Sequence, residues 1–376
     1  MKEQKYLFNT VNRSELVIPK FIERIGKNYV SYGVDNLYPQ FINSLLHQSS
    51  IHRTSILSTL YAVVGEGLSF EDDVDNYLIK YANPNESWND VFKKVAFDLI
   101  TYGGFAVNVV WSNDGKTIAE FYHIDFANIR SGYMDENDIV NEYYYSANWE
   151  STRKHKPVSY CSFNKEEAID NPSQILYYFD YNPGASYYPV PSYSAGINDI
   201  LIDNEISKFH LSNLQNSLAP SLIISLNNGI PSTMEEREEI YDNIAEAYAG
   251  TDNVGKFMLL FNRDKDHAAE ITPLDAVNDD YYNVLNDRIV SRILTAHRIS
   301  SPKLVGIYSD PSGFSSNADE IVVAYQLFQS TIAKPKQTSL LKVFNNLLLY
   351  KGYKDKELQI IPNKLLDSQK AANAIE

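Results

Sequence analysis

Cysteine is almost absent from this chain: Cys161 stands alone among 376 residues, which excludes an internal disulfide and any cysteine-built metal cluster. Long apolar runs are missing too. No segment approaches the roughly 18 apolar residues that a membrane-spanning helix requires, and Met1 to Leu16 lacks the apolar stretch of a signal peptide, so neither membrane insertion nor classical export is expected. Glycine-rich phosphate loops are absent in both the GxGxxG and the GxxxxGK form. The seven histidines (His47, His52, His123, His155, His210, His267, His297) are scattered, and none forms the i, i+4 pair of a zinc helix. Ser300 and Lys303 match S-x-x-K without any companion motif. The acid pairs Asp279-Asp280 and Glu235-Glu236 fall near helix starts, where they favour the positive end of the helix dipole. No metal, no cofactor and no catalytic constellation is therefore expected. Positive charge is also in deficit, 33 basic against 48 acidic side chains, a formal charge of −15. Such a chain repels phosphate backbones on average, which disfavours a DNA-gripping protein but not one that DNA must slide past.

What is present is an ordinary folding composition, 44% hydrophobic and 22% charged, with enough length for two or three lobes. The 28 tyrosines suit either wet binding surfaces or tyrosine-rich β-structure. Residues 37–60 read as helical, with Phe41, Leu45, Ile56 and Leu60 among the core candidates and Gly65 and Gly67 closing the stretch. Trp88, Val91, Phe92, Val95, Leu99 and Tyr102 recur at helical spacing before Gly103-Gly104. The period then changes: 105–111 and 117–123 read as strands flanking Asn113-Asp114-Gly115, a hairpin signal. Further strands are expected at 139–145 and 174–180, separated by a solvated basic run, 153–156.

The helix expected over 193–218 is apolar on two sides. Ile197, Ile200, Leu201, Leu211, Leu214 and Leu218 gather on one face and Ile202, Ile206 and Phe209 roughly opposite, with Asp199, Asp203 and His210 in a polar strip between. Such a helix is either wholly inside a core or wedged between neighbours on both sides. A strand at 221–226, a helix opened by a capping box at Thr233/Glu236 or Ser232/Glu235, and a strand at 256–261 make 220–261 a small α/β insertion. A second broadly apolar helix, 278–299, aligns Tyr282, Leu285, Ile289, Ile293 and Ala296. Ser300-Ser301-Pro302 breaks it, 307–316 has loop composition, and a long helix carrying Ile321, Tyr325, Phe328 and Ile332 must kink or break at Pro335.

In this order of elements the chain resembles the portal proteins of tailed bacteriophages. Leu99-Ile100-Thr101-Tyr102-Gly103-Gly104-Phe105-Ala106-Val107 is similar to the family's wing signature. Tyr187-Tyr188-Pro189-Val190-Pro191 stands where the family often has Tyr-Gly-x-Pro, with Pro189 in place of the glycine. Asn253-Val254-Gly255-Lys256-Phe257-Met258-Leu259-Leu260 resembles the strand that closes the clip, and Ser301-Pro302-Lys303-Leu304-Val305-Gly306 the element after the second stem helix. Ser316-Asn317 and Thr331-Ile332-Ala333-Lys334-Pro335 resemble the start and kink of the long inner helix.

The resemblance implies an α+β portal-protein fold: an α/β wing over 1–190, stem helices over 191–219 and 274–300, a small α/β clip over 220–273, a tunnel-loop region over 301–317, and a long kinked helix with a short tail over 318–376. It implies a homo-oligomeric ring of about twelve copies at the portal vertex of a virion. Double-stranded DNA would pass through without sequence specificity, and terminase, a head-tail adaptor and the major capsid protein would be partners. Tyr308, Ser309, Asp310, Pro311, Ser312, Gly313, Phe314 and Ser315 would form the tunnel loop, and Asp199, Asp203 and His210 would face the lumen. Ile197, Leu201, Ile206, Phe209, Leu214, Leu285, Ile289 and Ile293 would meet neighbouring subunits, since a closed head-to-tail ring buries a different face against each neighbour. Two other readings stay open. A soluble hydrolase of polar polymers would use tyrosines as stacking platforms and converge carboxylates in a cleft; a virion or adaptor component without a stem would not bring the two long helices together.

Overall fold

Two short antiparallel strands, β1 (Phe21–Glu23) and β2 (Val30–Tyr32), lead into a helical region that a single serine divides. The computed structural model describes residues 18–71, 73–215, 222–226, 229, 231–248, 257–261, 279–307 and 318–363. The expected helical stretch over 37–60 is two helices, α1 (Tyr38–Gln48) and α2 (Ser50–Val64). Ser49 has extended backbone, φ −124° and ψ 121°, and its side chain accepts from the His52 amide. A serine that caps the following helix gives up its own helical conformation, and the ladder restarts. Gly65 closes α2 with φ 59°, where an added Cβ would lie 2.2 Å from the Ile361 carbonyl oxygen.

Strand β3 (Gly67–Phe70) precedes α3 (Trp88–Tyr102), which opens on a full capping box between Ser87 and Asp90 and ends at a left-handed Gly103, φ 83°. Its apolar spacing does what the sequence predicts: Trp88, Val91, Phe92, Val95 and Leu99 are wholly buried. Then come β4 (Gly104–Trp111), β5 (Ile118–Ile124), β6 (Ile129–Ser131), β7 (Glu142–Tyr145), β8 (Val158–Ser162) and β9 (Ser173–Phe179). They form one six-stranded sheet in the order β5-β4-β9-β8-β7-β6, antiparallel except where β8 meets β9. Strand β7 is shorter than 139–145 because Asp138 takes φ 60° and the Asp135 carboxylate accepts from the Ile139 amide, holding a turn there. The free side of β5 is occupied: the Phe121 amide donates to the Ala82 carbonyl, the Asn83 side chain to the Phe121 carbonyl, and the Lys351 ammonium to the Ala119 carbonyl.

Helix α4 (Ile197–Gln215) follows a turn of tighter helix, Ser194–Gly196. Strand β10 (Leu222–Leu226), helix α5 (Met234–Tyr248) and strand β11 (Phe257–Phe261) make the expected strand-helix-strand insertion, with the strands parallel. The Thr233 hydroxyl accepts from the Glu236 amide and the Glu236 carboxylate accepts from the Ser232 amide, so both acceptors lie at the helix start. Helix α6 (Asp279–Ala296) precedes a short turn, Pro302–Val305. Helix α7 (Ala318–Phe328) joins α8 (Lys334–Tyr350) through a π-helical turn, Gln329–Ala333, and β12 (Leu358–Ile361) pairs antiparallel with β3.

The kink or break expected at Pro335 takes the form of a change in hydrogen-bond register. The Lys334 amide bonds to the Gln329 carbonyl five residues back, and this wider turn accommodates a proline that has no donor of its own. The chain divides into two units, Met1–Leu201 with Val290–Glu376, and Ile202–Ile289. The larger unit's core is aromatic: Trp88 meets Phe121 edge-on at 4.8 Å and Phe92 meets Phe344 at 5.1 Å. Such pairs add roughly 0.5–1.5 kcal/mol each beyond burial. Tyr32 and Tyr188 stack at 4.1 Å, both buried, and their hydroxyls donate to the Pro189 and Val30 carbonyls, each at 2.5 Å. Tyr29, Tyr32, Tyr38, Tyr102, Tyr143, Tyr144, Tyr188 and Tyr193 are buried, while Tyr61, Tyr77, Tyr81, Tyr133, Tyr181 and Tyr241 are exposed, so the tyrosines serve both core and surface.

Candidate functional site

The larger unit brings the start of α4 and the end of α6 together at a buried joint. Gly196, just before α4, lies so near Ala296 that an added Cβ would be 2.5 Å from the alanine methyl. One residue beyond that alanine, His297 is buried and its Nε2 lies 2.9 Å from Nδ1 of His52, on α2, which is wholly buried. Tyr193 stacks on His297 at 4.8 Å and meets His52 edge-on at 4.7 Å, while its hydroxyl donates to the Thr101 carbonyl of α3 at 2.7 Å. Burial alone depresses His52 to a pKa of about 4; burial, and then the neighbouring His52, depress His297 to about 3. Both imidazoles are therefore neutral near pH 7, sharing one N–H between them. His52 Nε2 has no hydrogen-bond partner. An orphan lone pair costs less than an orphan N–H, which favours His52 Nδ1–H donating to His297 Nε2. Four elements thus meet at one joint: α2, α3, the turn before α4 and the end of α6.

Of the proposed lumen-facing residues, Asp199 pairs with Arg292 on α6 at 3.4 Å, Asp203 is buried, and His210 is exposed beside Phe209. The three occupy different environments. Of the proposed subunit contacts, Ile197, Ile206, Ile289 and Ile293 are buried within the chain, Leu201 and Leu285 are half-buried, and Phe209 is exposed. The surface of α4 also presents Ile202 and Leu211, and that of α6 presents Val284. Leu214 lies on α4 but its side chain, like Tyr308, Ser309, Asp310, Pro311, Ser312, Gly313, Phe314 and Ser315, is outside the described residues. The histidine pair is not apparent from sequence reasoning, because its members are 245 positions apart and share no motif. Among the described residues no group of three or more His, Cys, Asp or Glu could hold a metal ion, and no helix is long and apolar enough to cross a membrane.

The phage portal protein family matches residues 59–373, most of the chain. The chain belongs to this family. The portal chain also shares its fold with solved neck structures. Against the neck of an empty gene transfer agent particle computed with C6 symmetry, the TM-score is 0.60 at 15% identity, covering 90% of this chain and 89% of that one. Against the neck of the native particle computed with C12 symmetry it is 0.59 at 15% identity, again covering 90% and 89%. The portal chain is 26% identical over 187 residues to an uncharacterized protein of Rickettsia bellii (strain RML369-C), 49% of this chain and 44% of that protein. It therefore spans less than half the length of that relative. The family is structural rather than enzymatic.

Proposed function

We propose that this portal protein closes into a ring of about twelve copies at one vertex of a phage or phage-like capsid, and that double-stranded DNA passes through the ring without sequence specificity. Family membership over residues 59–373 carries the reading. The gene transfer agent necks with six- and twelvefold symmetry support ring closure, and so do Ile202, Phe209, Leu211 and Val284, apolar side chains left exposed on α4 and α6. In this reading α4 and α6 are the stem, residues 220–273 the clip and residues 308–315 the tunnel loop. The clip would dock terminase during packaging and a head-tail adaptor afterwards, and the wing would meet the major capsid protein. About twelve chains at −15 each would carry near −180 before counterions, a like-signed wall that limits sticking of the DNA backbone. No cofactor or catalytic step is required.

Native mass measurement and negative-stain imaging of the purified chain are expected to show a large ring with a central hole; a compact monomer at every concentration tried would end the proposal. Deletion of Tyr308–Ser315 is expected to leave the ring intact while lowering packaged or retained DNA at least tenfold, scored by counting filled capsids. Collapse of the ring in that variant would assign the segment a structural role instead.

A further inference from the structure

A concave site of mixed polarity lies wholly within the smaller unit, at the C-terminal ends of its two strands. Among the described residues it is lined by Leu226, Gly229, Pro231, Glu236, Glu239, Ile240 and Phe261, with a cavity of about 390 Å³. The sequence explains the hollow. Leu226 and Phe261 are register partners at the last positions of β10 and β11, so both strands stop together and present two large apolar ends. Among the described residues helix α5 covers that end through Ile240, while Gly229 at φ 106° carries no side chain and has nothing within 4 Å of where a Cβ would be. Leu226, Pro231, Ile240 and Phe261 remain half-buried, so the hollow is open and offers apolar side chains beside the two carboxylates, Glu236 and Glu239.

Charge decides what can enter. Helix α5 carries Glu235, Glu236, Glu238, Glu239, Asp242 and Glu246 against a single cation, Arg237, and Arg237 donates to the chain's own Pro231 carbonyl. Glu236 is committed to the helix start, which leaves exposed Glu239 at the rim. A phosphate backbone is repelled here, and so is a second copy of the same acidic helix.

We infer that this hollow is an anchor site for a partner protein segment that inserts one aromatic or branched aliphatic side chain flanked by Lys or Arg. The volume lies within the range of roughly 300–1,000 Å³ over which pockets bury small ligands; a side chain seated in a desolvated pocket is the usual form of a binding hot spot, and complementary charges around it select the partner. In a ring the site recurs once per copy, so a modest single contact becomes avid for a partner assembled with matching symmetry. The inference rests on the reading of this unit as the docking lobe of the portal.

The test uses the full-length protein and two fluorescein-labelled peptides, one with a Lys-Arg-Phe-Leu-Lys-Arg centre and one with Glu-Asp-Phe-Leu-Glu-Asp. Fluorescence anisotropy is expected to show binding of the basic peptide at least tenfold tighter than the acidic one. Glu239→Lys, an exposed change, is expected to weaken the basic peptide tenfold or more, and Ile240→Ser to do the same by removing part of the floor. Equal binding of both peptides, or binding unmoved by Glu239→Lys, overturns the inference, as does binding that disappears as the protein concentration rises, which would mean that a second copy fills the hollow. Native mass on the same samples separates the two readings: an intact ring without peptide preference sinks the anchor site alone, and absence of a ring sinks the portal reading.

Discussion

Replacing Arg130 by alanine is expected to destabilise the larger unit by about 3–5 kcal/mol, because five oxygens lose a charged donor and each buried acceptor left unsatisfied costs roughly 1–3 kcal/mol, and to lower its thermal midpoint on the order of 10 °C. Arg130 is fully buried, yet none of its hydrogen bonds goes to a carboxylate. Its Nε donates to the Asn36 side-chain oxygen at 2.7 Å, one terminal nitrogen to the Ala127 and Ile129 carbonyls at 3.0 and 2.7 Å, and the other to the Asn36 carbonyl and Gln40 side chain at 2.6 and 3.2 Å. Its plane lies over Trp149 at 4.7 Å and Tyr32 at 5.9 Å. Burial lowers its pKa to about 10, so it remains charged at neutral pH. The guanidinium therefore serves as a five-pronged clasp that ties β6 to the start of α1. Lysine keeps the charge but not the fork, so Arg130→Lys is expected to recover less than half of the loss. Thermal and urea unfolding check this; an alanine variant within 1 kcal/mol of the parent would show that the carbonyls find other donors.

Acid is expected to loosen the joint formed by His52 and His297 well before the carboxylates titrate. The folded pKa values, about 4 and about 3, lie below the unfolded value near 6.5. As pH falls the unfolded chain therefore takes up protons first. The contribution of the pair is fully present above about pH 7, declines between about 6.5 and 4, and is gone below about 3. In that window each imidazole changes stability by up to about 1.4 kcal/mol per pH unit. Urea midpoints measured from pH 7 to 4.5 are expected to trace this slope in the parent and roughly half of it in His297→Gln, which keeps an amide able to bond His52 but cannot be protonated. Parallel curves for the two proteins would mean that the pair is hydrated.

Elements with a strong local signature are legible in the sequence. Helix α3 announces itself through its apolar spacing and terminal glycines, the β4–β5 hairpin through Asn113-Asp114-Gly115, and the small insertion through its capping box. Features that depend on distant partners are not. Ser49 looks like any polar helix residue until its hydroxyl is seen to accept from His52. Strand β8, Val-Ser-Tyr-Cys-Ser, has no clean alternation because its first residues are exposed and the rest half-buried. Strand β12 finds its place only by pairing with β3, nearly the whole chain away. Arg130 reads as a surface residue, since nothing local reveals that five oxygens converge on it. For the candidate site the sequence offered the two helices, and it hid the joint that roots them: the tyrosine, the two histidines and the glycine-alanine approach belong to separate segments and obey no spacing rule.

The guarded margin of β5 has a consequence for how many copies can coexist. A bare strand rim is adhesive toward any like rim, and assembling capsids hold numerous identical chains at high local concentration. With backbone groups of Ala119 and Phe121 already engaged by Ala82, Asn83 and Lys351, that flank offers little for zipper-like accretion. Copies that meet at this rim must then recognise one another through side chains, whose shapes can dictate a closed circle where backbone pairing would permit an endless ribbon.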